Sequence, residues 1–206
     1  MFHLNITLWA AYAVLAFGLR TFVQWRVTGR TGWNLFAGKK RPLERGAELL
    51  VTAGLIGGFA SAWLQLSAAP LVHPALPLGL YGAGTILTVA AQFAMGRAWR
   101  VGVDASERTE LVAHGLFGLA RNPIYSGMLL ACAGLTLLSF TWAGCIAYGS
   151  LVLGLELQVR SVEEPYLLRV HGMRYQAYAA RVGRFVPGVG RLPPPSASHN
   201  AANPAT

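Results

Sequence analysis

The sequence predicts an all-α integral membrane protein with about five transmembrane helices, a helical hairpin in its C-terminal half and a cytoplasmic amphipathic helix. Three observations predict it. Apolar residues make up 54% of the 206 and charged residues only 12%, about half the usual share. The apolar residues gather into runs close to the twenty or so needed to cross a bilayer. The formal net charge of +9 falls between those runs, as a topology signal does. No basic helix with base-reading residues accompanies it, so nucleic acid is not the partner this charge suggests.

The first span runs from about Leu4 to Trp25. It lacks a positive n-region and ends in arginines, so it reads as a retained helix, not a cleaved signal peptide. Arg20 near its end can snorkel toward headgroups. Arg26, Arg30, Lys39, Lys40, Arg41 and Arg45 then form a basic loop, which reads as cytoplasmic, with turns at Thr28-Gly29 and Thr31-Gly32. The second span covers about Ala47–Leu66, where Gly54 and Gly58 give a small-xxx-small packing signal. Residues 67–77 read as an outside loop. The third span covers about Leu78–Met95, with Gly79, Gly82 and Gly84 as packing points.

Residues 96–120 are too polar to span, and their arginines place them in the cytoplasm. A hairpin follows, with spans near Pro123–Ser139 and Trp142–Val162 and a break at 139–143. Asn122 can cap its first helix through its side-chain oxygen, and Pro123 suits the first helical position. Tyr166–Val182 reads as an amphipathic helix with Leu168, Tyr175 and Val182 on one face, suited to the membrane surface. Residues 188–206 are rich in proline, serine, alanine and asparagine and are expected to be disordered. Five spans put the termini on opposite sides, and the arginines of the loops place the N-terminus outside and the C-terminus in the cytoplasm. Cys132 and Cys145 lie in apolar spans without flanking ligand groups, so they read as small buried hydrophobes and not as metal ligands.

Chemistry is expected where the hairpin brings its two ends together. Acidic side chains are scarce, yet Glu156, Glu163 and Glu164 lie with Arg160 on the last span. Glu156 and Arg160 are one turn apart, as are Arg160 and Glu164, and each pair can form. Charges at a bilayer usually face a cavity or a partner; the alternative is a snorkelling helix end. Pro165 is expected to end or kink the helix. That leaves both carboxylates at a helix C-terminus, where they call for a cationic partner. At the other end stand Arg121-Asn122-Pro123-Ile124-Tyr125, which also fit an ordinary interface anchor.

These motifs resemble those of the isoprenylcysteine carboxyl methyltransferases and their bacterial relatives. That family shows Arg-His-Pro-x-Tyr, a helical hairpin, Glu-Glu-x-x-Leu and then Gly-x-x-Tyr-x-x-Tyr. The matching residues are Arg121–Tyr125, Glu163-Glu164-Pro165-Tyr166-Leu167 and Gly172–Tyr178, with Thr109-Glu110-Leu111-Val112 as lead-in and Arg181–Pro187 as close. The resemblance covers about residues 96–187. It implies a methyltransferase core there, behind three N-terminal helices in 1–95. It also implies S-adenosyl-L-methionine as cofactor, held by Thr109, Glu110, Leu111, Val112, Phe117, Asn122, Pro123, Ile124, Tyr125, Glu163 and Glu164. The family's substrate arginine precedes the glutamate pair by about one turn, which makes Arg160 the catalytic candidate at an offset of one residue. Asn122 stands where the family has histidine and cannot carry a charge. Phe117 replaces a common tyrosine, and Pro165 interrupts a stretch that is usually helical.

The implied reaction is methyl transfer at the cytoplasmic face of the inner membrane to a carboxylate, or another nucleophile, on a lipid-like or isoprenylated acceptor. Alignment of the nucleophile is most of the catalysis. Two other readings are an NADPH-dependent membrane reductase related to sterol reductases, and a small membrane protein without enzymatic activity.

Overall fold

The structure is a computed structural model, and it describes residues 2–33, 41–64, 72–96, 99 and 110–195. Among these residues it is helical, apart from short turns and isolated bridges. Helix α1 (Phe2–Ala13) passes through a π-helical turn at Val14–Leu19 into α2 (Arg20–Thr28), and Gly29 caps α2 in the left-handed conformation. Then come α3 (Pro42–Leu64), α4 (Ala75–Ala94), a 3-10 turn at Gly115–Gly118, α5 (Pro123–Leu138) and α6 (Trp142–Gln158). A second π-helical stretch, Val159–Glu163, leads straight into α7 (Glu164–Arg181).

The five expected apolar helices are present with shifted ends, four of them at spanning length. His3–Thr28, Pro42–Leu64, Ala75–Ala94 and the continuous helix from Trp142 are long and apolar enough to cross a membrane, while α5 is a shorter apolar helix of 16 residues. Helix α3 starts five residues before the expected Ala47. Pro42 takes its first turn, and the Glu44 carboxylate reaches back to the Arg41 backbone N–H at 3.0 Å, the reciprocal half of a capping box. The turn at 139–141 forms where expected, and Thr141 caps α6 by accepting from the Gly144 N–H at 2.9 Å.

The hairpin arms do not pack along each other. Helix α5 packs mainly on α4, and α6 mainly on α3. Glycines set both contacts. A Cβ on Gly84 would stand 2.3 Å from the Ala131 nitrogen, and one on Gly54 would stand 2.7 Å from Leu151. Gly58 abuts the Trp9 ring instead, and Gly79 and Gly82 touch nothing within 4 Å. Of the packing points expected on the third span, only Gly84 is one. Helix α1 and the π-helical turn after it wedge between the two pairs, with Trp9, Tyr12 and Ala16 buried in one cluster with Met128, Cys132 and Leu151. Where α1 ends as a wedge, the pairs stay apart and a cavity opens.

The helix from Trp142 does not end at Pro165. The Glu164 N–H bonds the Val159 carbonyl five residues back, and in that widened turn proline at the start of α7 interrupts nothing. The glutamates therefore lie inside a continuous helix instead of ending one. Trp142–Glu163 already covers roughly 33 Å, about the thickness of a hydrocarbon core, so α7 lies beyond it. Helix α7 breaks at Gly172 (φ 52°, ψ −130°). The break defeats the seven-residue face: Tyr175 is buried while Leu168 is exposed. Residues 188–192, expected to open a disordered tail, turn back onto α7. The Leu192 N–H donates to the Ala179 carbonyl at 3.0 Å, and Leu192 packs on the Tyr175–Tyr178 cluster. The remainder of that tail, 196–206, lies outside the described residues.

Candidate functional site

Arg121 organises the end of the bundle where the hairpin begins and returns. Its guanidinium donates to the Glu164 carboxylate at 2.5 Å and to the carbonyls of Ala179, Val182 and Gly190. Arg184 grips Glu164 from the other side, through Nε at 2.8 Å and a second nitrogen at 3.1 Å. It also reaches Glu156 at 3.1 Å. The backbone joins the same ends. The Arg121 N–H donates to the Gly183 carbonyl at 2.8 Å, and the Asn122 N–H to the Arg184 carbonyl at 3.0 Å. Burial pushes the Glu164 carboxyl up, but hydrogen bonds from Arg184 and Arg121 and their charges more than offset it and hold it below the usual carboxylate range. The same contact with Glu164 pushes Arg184 up.

Of the two pairings expected of Arg160, the one with Glu156 forms and the one with Glu164 does not, and Arg160 is more than half exposed. The π-helical stretch adds a residue to the turn, so the one-turn spacing of Arg160 and Glu164 is lost. Asn122 takes the N-cap position of α5 but makes no side-chain cap; its amide donates to the Arg184 carbonyl at 3.3 Å.

Beside this network lies a cavity of about 540 Å³. It collects Glu110, Leu111, Val112 and Phe117 from the segment before α5, and Asn122, Ile124 and Tyr125 from its start. Glu163 and Glu164 close it from the returning helix. Adjacent in sequence, they face different groups: Glu164 the two arginines, Glu163 the Tyr125 hydroxyl, which donates to it at 2.5 Å. Tyr178 ties the Phe117 turn to α7 by donating to the Phe117 carbonyl at 2.6 Å. Two expected residues are not on the wall: Pro123 is buried at the first turn of α5, and Arg160 pairs with Glu156 instead. Thr109 lies outside the described residues.

The N-terminal helices supply much of the rest of the wall, and the sequence reading passed over those residues. Glu48, Val51, Leu55 and Ile56 come from α3, Gln92 from α4, and Trp33 and Trp99 from the connecting segments. A single acid or amide inside an apolar span was the available signal, because burying a polar group there is costly. Arg20 holds the Trp99 side. Its guanidinium lies 4.8 Å above the Trp99 ring and bonds the Gly96 carbonyl.

Comparison with known proteins agrees with this architecture. The model of the phospholipid methyltransferase family matches residues 72–174, half of the chain. Protein-S-isoprenylcysteine O-methyltransferase A of Arabidopsis thaliana is 30% identical over 108 residues, 52% of this chain and 55% of the relative. Its B counterpart is 31% identical over the same shares. The chain thus spans about half the length of the curated relatives it matches. A solved eukaryotic intramembrane Ras methyltransferase, an isoprenylcysteine carboxyl methyltransferase, superposes with a TM-score of 0.56 at 17% identity, over 92% of this chain and 69% of that one. The chain therefore belongs to the phospholipid methyltransferase family, as a multi-pass membrane member, helical among its described residues, that shares the fold of the solved isoprenylcysteine carboxyl methyltransferase.

Proposed function

We propose that the protein is an S-adenosylmethionine-dependent methyltransferase acting on a lipid-like acceptor at the membrane. One observation carries the reading. A single cavity joins Glu110, Asn122, Tyr125 and Glu163 to the apolar inner face of α3, so a charged, water-soluble molecule and a lipid chain fit side by side. The donor set suits the cofactor, since carboxylates face a molecule that bears a sulfonium and an ammonium. Leu111, Val112 and Phe117 offer an apolar wall for a purine. When bound, the cofactor supplies an electrophilic methyl group.

The chain's own residues bind, orient and exclude water. Glu163, oriented by Tyr125, supplies negative charge to the cationic end of the cofactor. Glu164 is spent on Arg121 and Arg184, so its role is to hold the wall. The helices around the far end keep water from the nucleophile and align it, which is the main requirement of this transfer. The acceptor class is carried over from the isoprenylcysteine named in the relatives: an apolar chain with a nucleophilic head. The basic loops suggest that the cavity end faces the cytoplasm.

The test is titration calorimetry with S-adenosylmethionine and S-adenosylhomocysteine. The expected result is binding of both. Glu163→Gln, still folded, should weaken S-adenosylmethionine by roughly 1.5–3 kcal/mol, the worth of a hydrogen bond to a charged group, or about tenfold to hundredfold. Unchanged affinity in that variant would remove the site as drawn.

A further inference from the structure

After Glu164 the charge of the chain is one-sided. Residues 165–195 carry five arginines and neither an aspartate nor a glutamate. Arg184 is buried against Glu164 and Glu156. The other four, Arg169, Arg174, Arg181 and Arg191, are exposed, and none forms an ion pair among the described residues. Large apolar side chains are exposed between them. Leu168 and Met173 directly precede Arg169 and Arg174, and Val186 and Val189 are 56% and 64% exposed. None of these residues lines the cavity.

The fold gathers them at one membrane face. Beyond the break at Gly172, the exposed residues Met173, Arg174, Ala177 and Arg181 recur at helical spacing on one side of α7. Residues 183–191 then form a strap pinned to the start of α5. The Arg121 and Asn122 N–H groups donate to the Gly183 and Arg184 carbonyls, and the Ser126 hydroxyl donates to the Phe185 carbonyl at 2.6 Å. At the tip of the strap the Val189 N–H donates to the Val186 carbonyl at 3.1 Å, and the Arg184 N–H to the Val189 carbonyl at 2.7 Å. A closed turn therefore presents both valines. The bond from the Leu192 N–H to the Ala179 carbonyl brings Arg191 alongside the last turn of α7, where Arg181 stands. Leu168 and Arg169 lie less than about 10 Å past Glu163, at the level of the headgroups. Valines at the start of one membrane helix and arginines at the exit of another are the composition of an interfacial surface.

Charge complementarity selects the lipid. A zwitterionic headgroup offers the arginines no net charge. An anionic one does, and each arginine near such a surface adds about fivefold to affinity, or about 1 kcal/mol. Nucleic acid would satisfy the arginines and leave the apolar side chains in water. We propose that the exposed face of α7 and the strap 183–191 form a docking surface for anionic membrane lipids, with the arginines on headgroup phosphates and Val186 and Val189 among the upper acyl chains. The surface reaches the cavity through the strap. The Gly190 carbonyl accepts from Arg121 at 3.0 Å, so lipid that orders the strap also holds the Arg121–Glu164 corner of the wall.

The experiment uses the full chain in phosphatidylcholine nanodiscs, with or without phosphatidylglycerol, and reads amide hydrogen exchange over residues 165–192. Native mass spectrometry of the chain in detergent gives the affinity for each lipid. Phosphatidylglycerol is expected to slow exchange in 183–192 and to bind about tenfold or more tighter than phosphatidylcholine, with the preference shrinking at high salt. Changing Arg181→Gln and Arg191→Gln together should lower phosphatidylglycerol affinity by roughly twentyfold and remove the protection. Should that pair fail to fold, Arg174→Gln with Arg191→Gln takes its place with the same expectation. Equal affinity for the two lipids would overturn the proposal, as would unchanged phosphatidylglycerol affinity in a folded arginine variant. Equal protection from glycerol phosphate added to phosphatidylcholine nanodiscs would also overturn it, because that marks an anion site that needs no lipid.

Discussion

Glu164 sits between two guanidinium groups, and the cost of burying three charges determines what its removal does. Taking one partner from a buried ion cluster leaves an uncompensated charge and costs about 3–5 kcal/mol. Glu164→Gln is therefore expected to lower the melting temperature strongly, while Glu163→Gln acts mainly on ligand affinity. The pH dependence has a definite sign. The folded-state carboxyl of Glu164 lies below its ordinary value of 4.5. Its contribution is fully present above that value and is lost as pH falls through the folded pKa. Thermal melts between pH 7 and pH 3 should show an acid limb below about 4.5 that flattens in Glu164→Gln. At this scale the sequence was legible in residue type and less so in partner. Arg160 reads as one turn from both Glu156 and Glu164; the first pair forms, and the π-helical turn at Val159–Glu163 redirects the second glutamate. No residue in that turn announces it.

At the scale of elements, helix positions followed from hydropathy, and the breaks followed from proline and glycine with unequal success. The turn between α5 and α6 was legible because polar residues interrupt an apolar run. Pro165 misled, because a widened turn accommodates it. Gly172 was legible as a motif residue and not as a break, although its backbone (φ 52°, ψ −130°) lies in a region that favours glycine. A Cβ there would touch nothing within 4 Å, so a substitution tests the backbone alone. Gly172→Ala is expected to cost about 1–3 kcal/mol, read as a lower midpoint in detergent-dilution or thermal unfolding, with cofactor affinity following the folded fraction. A midpoint equal to the parent's would mean that α7 runs straight.

Over the whole molecule, the number of apolar helices and the placing of charge between them were legible, because burial in lipid dictates composition directly. The partnering of helices was not. Sequence neighbours α5 and α6 look like a packed hairpin, yet close backbone approach at Gly84 and Gly54 assigns each to a different N-terminal helix. The cavity exists because of that exchange, which is why Glu48 and Gln92 escaped notice while Tyr125 and Glu163 did not. The orientation we propose carries its own test. Reporter fusions after Arg41, Arg108 and Arg184 should report cytoplasm, and one near His73 the outside. A cytoplasmic signal at His73 would break the five-span arrangement.

The shortness of α5 has a mechanical consequence for the surrounding lipid. Its 16 residues reach about 24 Å, against a hydrocarbon thickness of about 30 Å. A bilayer meets such a mismatch by thinning locally or by letting flanking residues reach outward. Asn122 lies at the very end of α5 and on the cavity wall, so thinning brings the headgroup layer down to the cavity mouth. Water and dissolved ions then stand close to Tyr125 and Glu163. The protein is expected to melt at higher temperature in nanodiscs of short-chain lipids than in long-chain ones, because a thin bilayer removes the deformation it must otherwise impose on its host.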